Sequence, residues 1–225
     1  MIRRHSPNFN ARDPHVPLRY VVLHYTGMAS AAAALDRLCD PKAEVSAHYV
    51  IDEDGQLIHL VDESARAWHA GKSFWRGITD MNSASLGIEL VNPGHEFGYR
   101  PFPAEQIATL KTLLRALQQR HDFGPDFLLA HSDIAPRRKT DPGELFPWRE
   151  LAAEGLGLWP EPSNLPQEKD VATLLRNIGY DCPDDAVESA LLAFQRRFEP
   201  GNLTGKAGEE TLARLNTLSR AIPSV

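Results

Sequence analysis

Between residues 15 and 150, short strand-like runs alternate with longer helical patterns, and this alternation restricts the possible folds more than any other feature of the chain. Leu18 to Tyr25, in "LRYVVLHYTG", reads as a buried strand stopped by Gly27. Ser30 is placed to cap a helix through Leu38, with Pro41 beyond its end. "SAHYVIDEDGQLIHLV" reads as a hairpin around the tight-turn pair Asp54-Gly55. "SLGIELVN" is a further strand, closed by Pro93-Gly94. From Pro103 the period changes: Ile107, Leu110, Leu114, Leu117 and His121 keep the three-four spacing of one buried helix face, up to Gly124-Pro125. "DFLLAH" returns to strand, and "LFPWRELAAEGLG" reads as a short closing helix. The expected class is α/β, a central sheet flanked by helices. The hairpin makes that sheet mixed, not purely parallel.

Beyond this region "LWPEPSNLPQEKD" carries three prolines in thirteen residues and reads as a linker. Three short amphipathic patterns follow: Val171, Leu174, Leu175 and Ile178; Val187, Leu191, Phe194 and Phe198; Leu212, Leu215 and Leu218. The expected organisation is a first domain over 1–158, a linker over 159–168 and a small three-helix domain over 169–225.

The 225 residues suffice for one mid-sized core and a small second one. A net charge of -6 without a basic stretch argues against a nucleic-acid partner and against an anionic membrane surface. No apolar run is long enough to cross a membrane. The opening "MIRRHSPNFNARDPHVP" has two arginines but no apolar segment behind them, unlike an export signal. The expectation is a cytoplasmic protein, with the periplasm as the alternative if a signal was removed ahead of this numbering. Cys39 and Cys182 form no ligand or disulfide pattern and read as free thiols.

Most of the nine histidines need no special role. His121 continues a helix stripe, and His5, His15 and His95 lie in polar, turn-rich segments. His24 and His131 differ, because each ends a short apolar strand where a loop begins. Histidines at two strand ends can meet in one cleft, and a third ligand would complete a zinc site with one open position. Asp141, ahead of Pro142-Gly143, is the candidate for that ligand. From the residues alone, this metal site and an ordinary satisfied core both stay open. Glu89 shares a strand face with Gly87 and Val91, opposite Leu86, Ile88 and Leu90. It is either a solvated carboxylate or one poised over a cleft to accept a proton. Lys139 is either a surface lysine or a positive charge near a developing oxyanion. The loop "AWHAGKSFWRG" packs two tryptophans, a phenylalanine and a histidine between glycines, as a groove wall or as a cover over the core.

Taken together, "HSPNFNARDP", "LHYTG", "SAHYVI", "AWHAG", "WRG", "LGIEL" and "AHSDIAPRRKTDPGELFPW" resemble the zinc-dependent N-acetylmuramoyl-L-alanine amidases of the AmpD-like group, whose fold is shared with peptidoglycan recognition proteins. The likeness covers nearly all of residues 5–155. The tail "LLRNIGYD" to "TGKAGEETLARL" resembles the three-helix peptidoglycan-binding module of the AmiD-type subgroup, with a degenerate turn at "NLTGKAG". The resemblance implies one Zn2+ per chain held by His24, His131 and Asp141, with Glu89 as the catalytic carboxylate and Lys139 as the oxyanion-stabilising group. It implies a substrate groove lined by Trp68, His69 and Arg76, and a structural role for His48. The implied partners are muropeptides or peptidoglycan fragments, and the implied reaction is hydrolysis of the amide between N-acetylmuramic acid, or its 1,6-anhydro form, and L-alanine. A non-catalytic recognition protein and a lytic amidase acting on intact wall are the alternatives.

Overall fold

The computed structural model describes residues 1–163, 168 and 170–222. Its strands are β1 (Ile2–Arg3), β2 (Phe9–Ala11), β3 (Tyr20–Tyr25), β4 (Tyr49–Ile51), β5 (Leu57–His59), β6 (Ala65–Ala67), β7 (Ser85–Leu90) and β8 (Leu128–Ala130). Its α-helices are α1 (Ala31–Cys39), α2 (Met81–Ala84), α3 (Gly94–Phe97), α4 (Ala104–His121), α5 (His131–Ile134), α6 (Trp148–Ala153), α7 (Val171–Ile178), α8 (Val187–Phe198) and α9 (Glu209–Ala221). Six strands form one sheet in the order β1-β5-β4-β7-β3-β8, and β2 pairs with β6 apart from it. Strands β4, β7, β3 and β8 run parallel, while β5 runs antiparallel to β4. The sheet is therefore mixed, and the hairpin is the reason.

Local chemistry sets these elements. The Ser30 side chain accepts from the Ala33 N–H and opens α1. The hairpin turn needs Gly55, whose φ is +82° and whose Cβ would lie 2.8 Å from the Glu105 carbonyl oxygen. Helix α4 stops at His121, three residues before Gly124, because Asp122 takes the left-handed conformation and its N–H closes on the Gln118 carbonyl.

Alternate residues of the central strands face opposite layers. Val21 and Leu23 of β3 and Leu86, Ile88 and Leu90 of β7 pack with Ile107, Leu110, Leu114 and Leu117 of α4. On the other face Tyr20 and Val22 join Leu129 and Met81 in a second core.

The three C-terminal helices form where the periodicity predicts them. Their apolar faces do not close on one another alone: Leu174, Leu175, Ile178, Leu191, Phe194, Leu215 and Leu218 share the second core with the sheet. Helices of 8, 12 and 13 residues bury little surface by themselves, and this face of the sheet would otherwise stand in water. Of the expected linker at 159–168, residues 164–167 lie outside the described residues. No helix among the described residues is long and apolar enough to cross a membrane.

Candidate active site

Strands β7, β3 and β8 point their carboxyl ends to the same edge, where open α/β sheets offer side chains to ligands. His24 stands near the end of β3, directly beside Glu89 of β7 in the parallel register. His131 follows β8 immediately. Asp141 returns to it through a loop tied by the Ser132 N–H to the Asp141 carbonyl, 3.0 Å. His24 Nδ1 and His131 Nδ1 are 2.8 Å apart, and Asp141 Oδ2 lies 3.1 and 3.0 Å from them. All three side chains are buried. Among the described residues this is the one grouping of three or more His, Cys, Asp or Glu side chains whose donor atoms could share an ion.

The proton inventory around the imidazoles tests whether this donor set fits a metal. His131 Nε2 lies 3.1 Å from the Ala70 carbonyl, which can only accept, so Nε2 carries the proton and Nδ1 presents a lone pair. For His24 the reasoning runs through three residues. The Ser85 hydroxyl donates to the Met81 carbonyl and is left to accept from His69 Nε2 at 3.5 Å. His69 Nδ1 is then an acceptor, 3.1 Å from His24 Nε2, which must be the donor. His24 Nδ1 is thereby also a lone pair. Two lone pairs and a carboxylate oxygen converge with no proton among them, an arrangement that a cation satisfies. Tetrahedral zinc with bonds of about 2.0–2.1 Å separates its ligand atoms by about 3.3 Å, a few tenths more than the spacing here.

Electrostatics agree with that assignment. Burial, with the His131 imidazole adding to it against the pull of Asp141, lowers His24 to about 4 and keeps the ring neutral at pH 7. Glu89 goes the other way: burial, then repulsion from Asp141, pushes it well above an ordinary carboxyl against the opposing charge of Lys139. Its Oε2 is buried and has no hydrogen-bond partner among the described residues.

These groups line a cleft of about 300 Å³ together with Lys139, Trp68 and Arg37. A wider groove of about 790 Å³ beside Tyr49 and His59 lies elsewhere on the surface. The aromatic loop divides. Trp68 lies at the cleft, its Nε1–H donating to Asn10 at 2.9 Å. His69 backs His24 and rests on Gly87, where a Cβ would come within 2.4 Å of the ring. Trp75 turns into the core against Tyr180. Arg76 does not reach the cleft. Its N–H bonds the Gly179 carbonyl and its guanidinium bonds Asp126 at 3.0 Å, because burial of Trp75 swings the next residue away.

His48 is structural: Nδ1 accepts the Gly87 N–H at 2.9 Å and Nε2 donates to the Ala65 carbonyl. His95 is exposed but not idle, lying 2.9 Å from the Tyr25 hydroxyl and stacked on Tyr99. Three residues were missed from sequence. Asn82 Oδ1 accepts the N–H groups of His69 and Ala70, while Ser85 and Gly87 support and admit the His69 ring. A small residue two positions before Glu89 on the same strand face was the only local signal.

Residues 14–144 match the family model described as N-acetylmuramoyl-L-alanine amidase. The chain belongs to that amidase family. AmiD of Escherichia coli K12 is 35% identical over 90% of this chain and 83% of its own length. AmpD of Haemophilus influenzae is 30% identical over 64% of this chain and 85% of its own length. The solved complex of AmiD with the substrate anhydro-N-acetylmuramic acid-L-Ala-D-gamma-Glu-L-Lys has a TM-score of 0.80 at 34% identity, covering 94% of this chain and 93% of that one. AMPDH3 of Pseudomonas aeruginosa in complex with an anhydromuramic pentapeptide gives a TM-score of 0.82 at 33% identity, over 97% and 98% of the two chains. The amidase is an enzyme of peptidoglycan turnover, zinc is its cofactor, and the non-catalytic reading is set aside.

Proposed function

We propose that this amidase cleaves the lactyl–L-alanine amide of soluble muropeptides, the 1,6-anhydro forms included, with His24, His131 and Asp141 holding the zinc. The observation that carries the reading is the meeting of two proton-free imidazole nitrogens and one carboxylate oxygen beside a buried, unpartnered Glu89 oxygen. An ion held by these three side chains would supply Lewis acidity, making water more acidic and offsetting negative charge as it develops. Glu89, whose buried Oε2 has no hydrogen-bond partner among the described residues, accepts the water's proton and returns it to the departing alanine nitrogen. Lys139 donates to the oxyanion as it develops. The His69–Ser85 relay keeps His24 in one tautomer and one orientation. Trp68 walls the cleft. Anhydro-muramyl peptides seated in two relatives' solved structures support this substrate class. The unpaired Cys39 and Cys182 support a reducing compartment, the cytoplasm.

The deciding experiment incubates the zinc-loaded protein with defined anhydro- and reducing-end muropeptides and with whole sacculi, and identifies products by mass. Free stem peptide from muropeptides, with sacculi left largely intact, is expected. Equal release from sacculi would favour a lytic amidase. Recovery of the untagged protein from the periplasmic fraction would refute the cytoplasmic assignment.

A further inference from the structure

The turn that carries His131 is gripped from the C-terminal helices. Asp133, two residues past His131, is fully buried. Its Oδ2 accepts the Ala130 N–H at 2.8 Å, closing the turn around His131. The same oxygen accepts from Arg197 Nη1 of α8 at 2.5 Å, and Oδ1 accepts from the Tyr180 hydroxyl at 2.8 Å. Arg197 Nη2 donates to the Leu128 carbonyl of β8 at 2.9 Å. The guanidinium is itself held between rings, 4.3 Å from the centroid of Trp148 and 4.7 Å from that of Phe198.

We propose that Arg197 and Tyr180 are positioning residues for the metal ligand His131, acting through Asp133, so that the C-terminal helices complete the zinc site from behind. The proposal rests on the ligand assignment made above. A buried ion pair is weak evidence for stability, since an apolar replacement often serves as well, but it fixes geometry. Here Arg197 alone joins both ends of the β8–α5 turn, Leu128 and Asp133, to α8, and Tyr180, just past the end of α7, adds a second hold on Asp133. His131 lies between those two points. Its Nδ1 direction is thus determined by one bond from Nε2 to the Ala70 carbonyl and by this clamp. Neither Arg197 nor Tyr180 lines the cleft, so neither is catalytic.

The test uses the full chain and four variants: Tyr180→Phe, Arg197→Met, Arg197→Lys and Leu215→Ala. The last removes a fully buried side chain from the same C-terminal core without touching Asp133 and serves as the stability control. Zinc affinity is read by chelator competition, ligand geometry by the visible spectrum of the cobalt-substituted protein, and stability by thermal midpoint. Loss of groups that orient a ligand weakens metal binding by about 10- to 100-fold, so about tenfold is expected for Arg197→Met, less for Tyr180→Phe, with partial recovery in Arg197→Lys. The cobalt bands shift in the first two, and Leu215→Ala lowers the thermal midpoint while keeping zinc affinity and spectrum. Clamp variants that bind zinc as tightly as the unsubstituted protein, or a Leu215→Ala loss of affinity as large as theirs, overturn the positioning role. Absence of stoichiometric zinc from the unsubstituted protein sinks the ligand assignment itself, a different result from a zinc-binding protein indifferent to Arg197. Should Arg197→Met not fold, Tyr180→Phe alone decides, since it removes one oxygen and leaves the ring packing.

Discussion

Strands β3 and β7 lie side by side, yet their two faces do opposite work. Towards α4, Val21, Leu23, Leu86, Ile88 and Leu90 build a dry aliphatic layer. On the reverse face, displaced by one residue, stand His24, Gly87 and Glu89, with His69 laid over the glycine. A strand's two-residue period separates the aliphatic layer from the polar cluster, although Tyr20 and Val22, on the polar cluster's face, also pack into the second core. Towards α4 the face serves packing alone, while the reverse face divides between the second core and the chemistry at the carboxyl ends of the strands, where polar groups are buried only because each has a partner or a cation to meet. Glu89 Oε2 breaks that rule, and a buried acceptor without a donor is how a proton acceptor waiting for its proton looks.

The contrast can be broken from either face. On the polar face Glu89→Gln keeps the shape but removes the base. A fall of about 10³-fold in kcat is expected with zinc content and thermal midpoint retained, measured by muropeptide hydrolysis beside metal analysis. A variant that still turns over normally would end the role of Glu89. Lys139→Ala should slow turnover by about a hundredfold with KM little changed, since its contact strengthens only as the oxyanion forms. On the apolar face Leu110→Ala, at a fully buried position, should cost about 2–5 kcal/mol in denaturant unfolding and leave kcat per folded molecule unaltered. Activity lost in proportion to that destabilisation would show the faces to be coupled.

The smallest effect belongs to a polar cluster away from the cleft. Burial would raise Glu63, but hydrogen bonds from Arg120, Tyr49 and His121 hold it down, from 4.5 to about 2. A depressed folded-state value contributes stability that is present above pH 4.5 and lost as pH falls towards 2. Allowing for solvent screening, that contribution is about 1 kcal/mol. The thermal midpoints of wild type and Glu63→Gln should differ above pH 4.5 and converge in acid.

Periodicity carried much of this fold. The α4 stripe, the hairpin at Asp54-Gly55 and the alternation in "LGIELV" follow from side-chain spacing, which water enforces locally. The strand-end positions of His24 and His131 were legible for the same reason. Arg76 was not, since its path depends on where Trp75 finds its core. The relay through His69 and Ser85 and the Asn82 brace join residues 12 to 45 positions apart, and no spacing rule connects them. The C-terminal helices were visible one by one. Their shared core with the sheet was not, because an amphipathic pattern names a buried face without naming what buries it.

Sequence by itself determined the longer elements, the mixed sheet and the residue types able to bind a metal, because backbone period and side-chain chemistry are local properties, while two- to four-residue elements such as β1, β2, β6, α2, α3 and α5 are too short to show a period. Tertiary structure decided which nitrogen of each imidazole is free of its proton, why Glu89 is left without a donor, and that α8 reaches across to the turn behind His131. Those outcomes are set by the exclusion of water and the direction of hydrogen bonds between distant segments, and they come into being only when the chain has closed on itself.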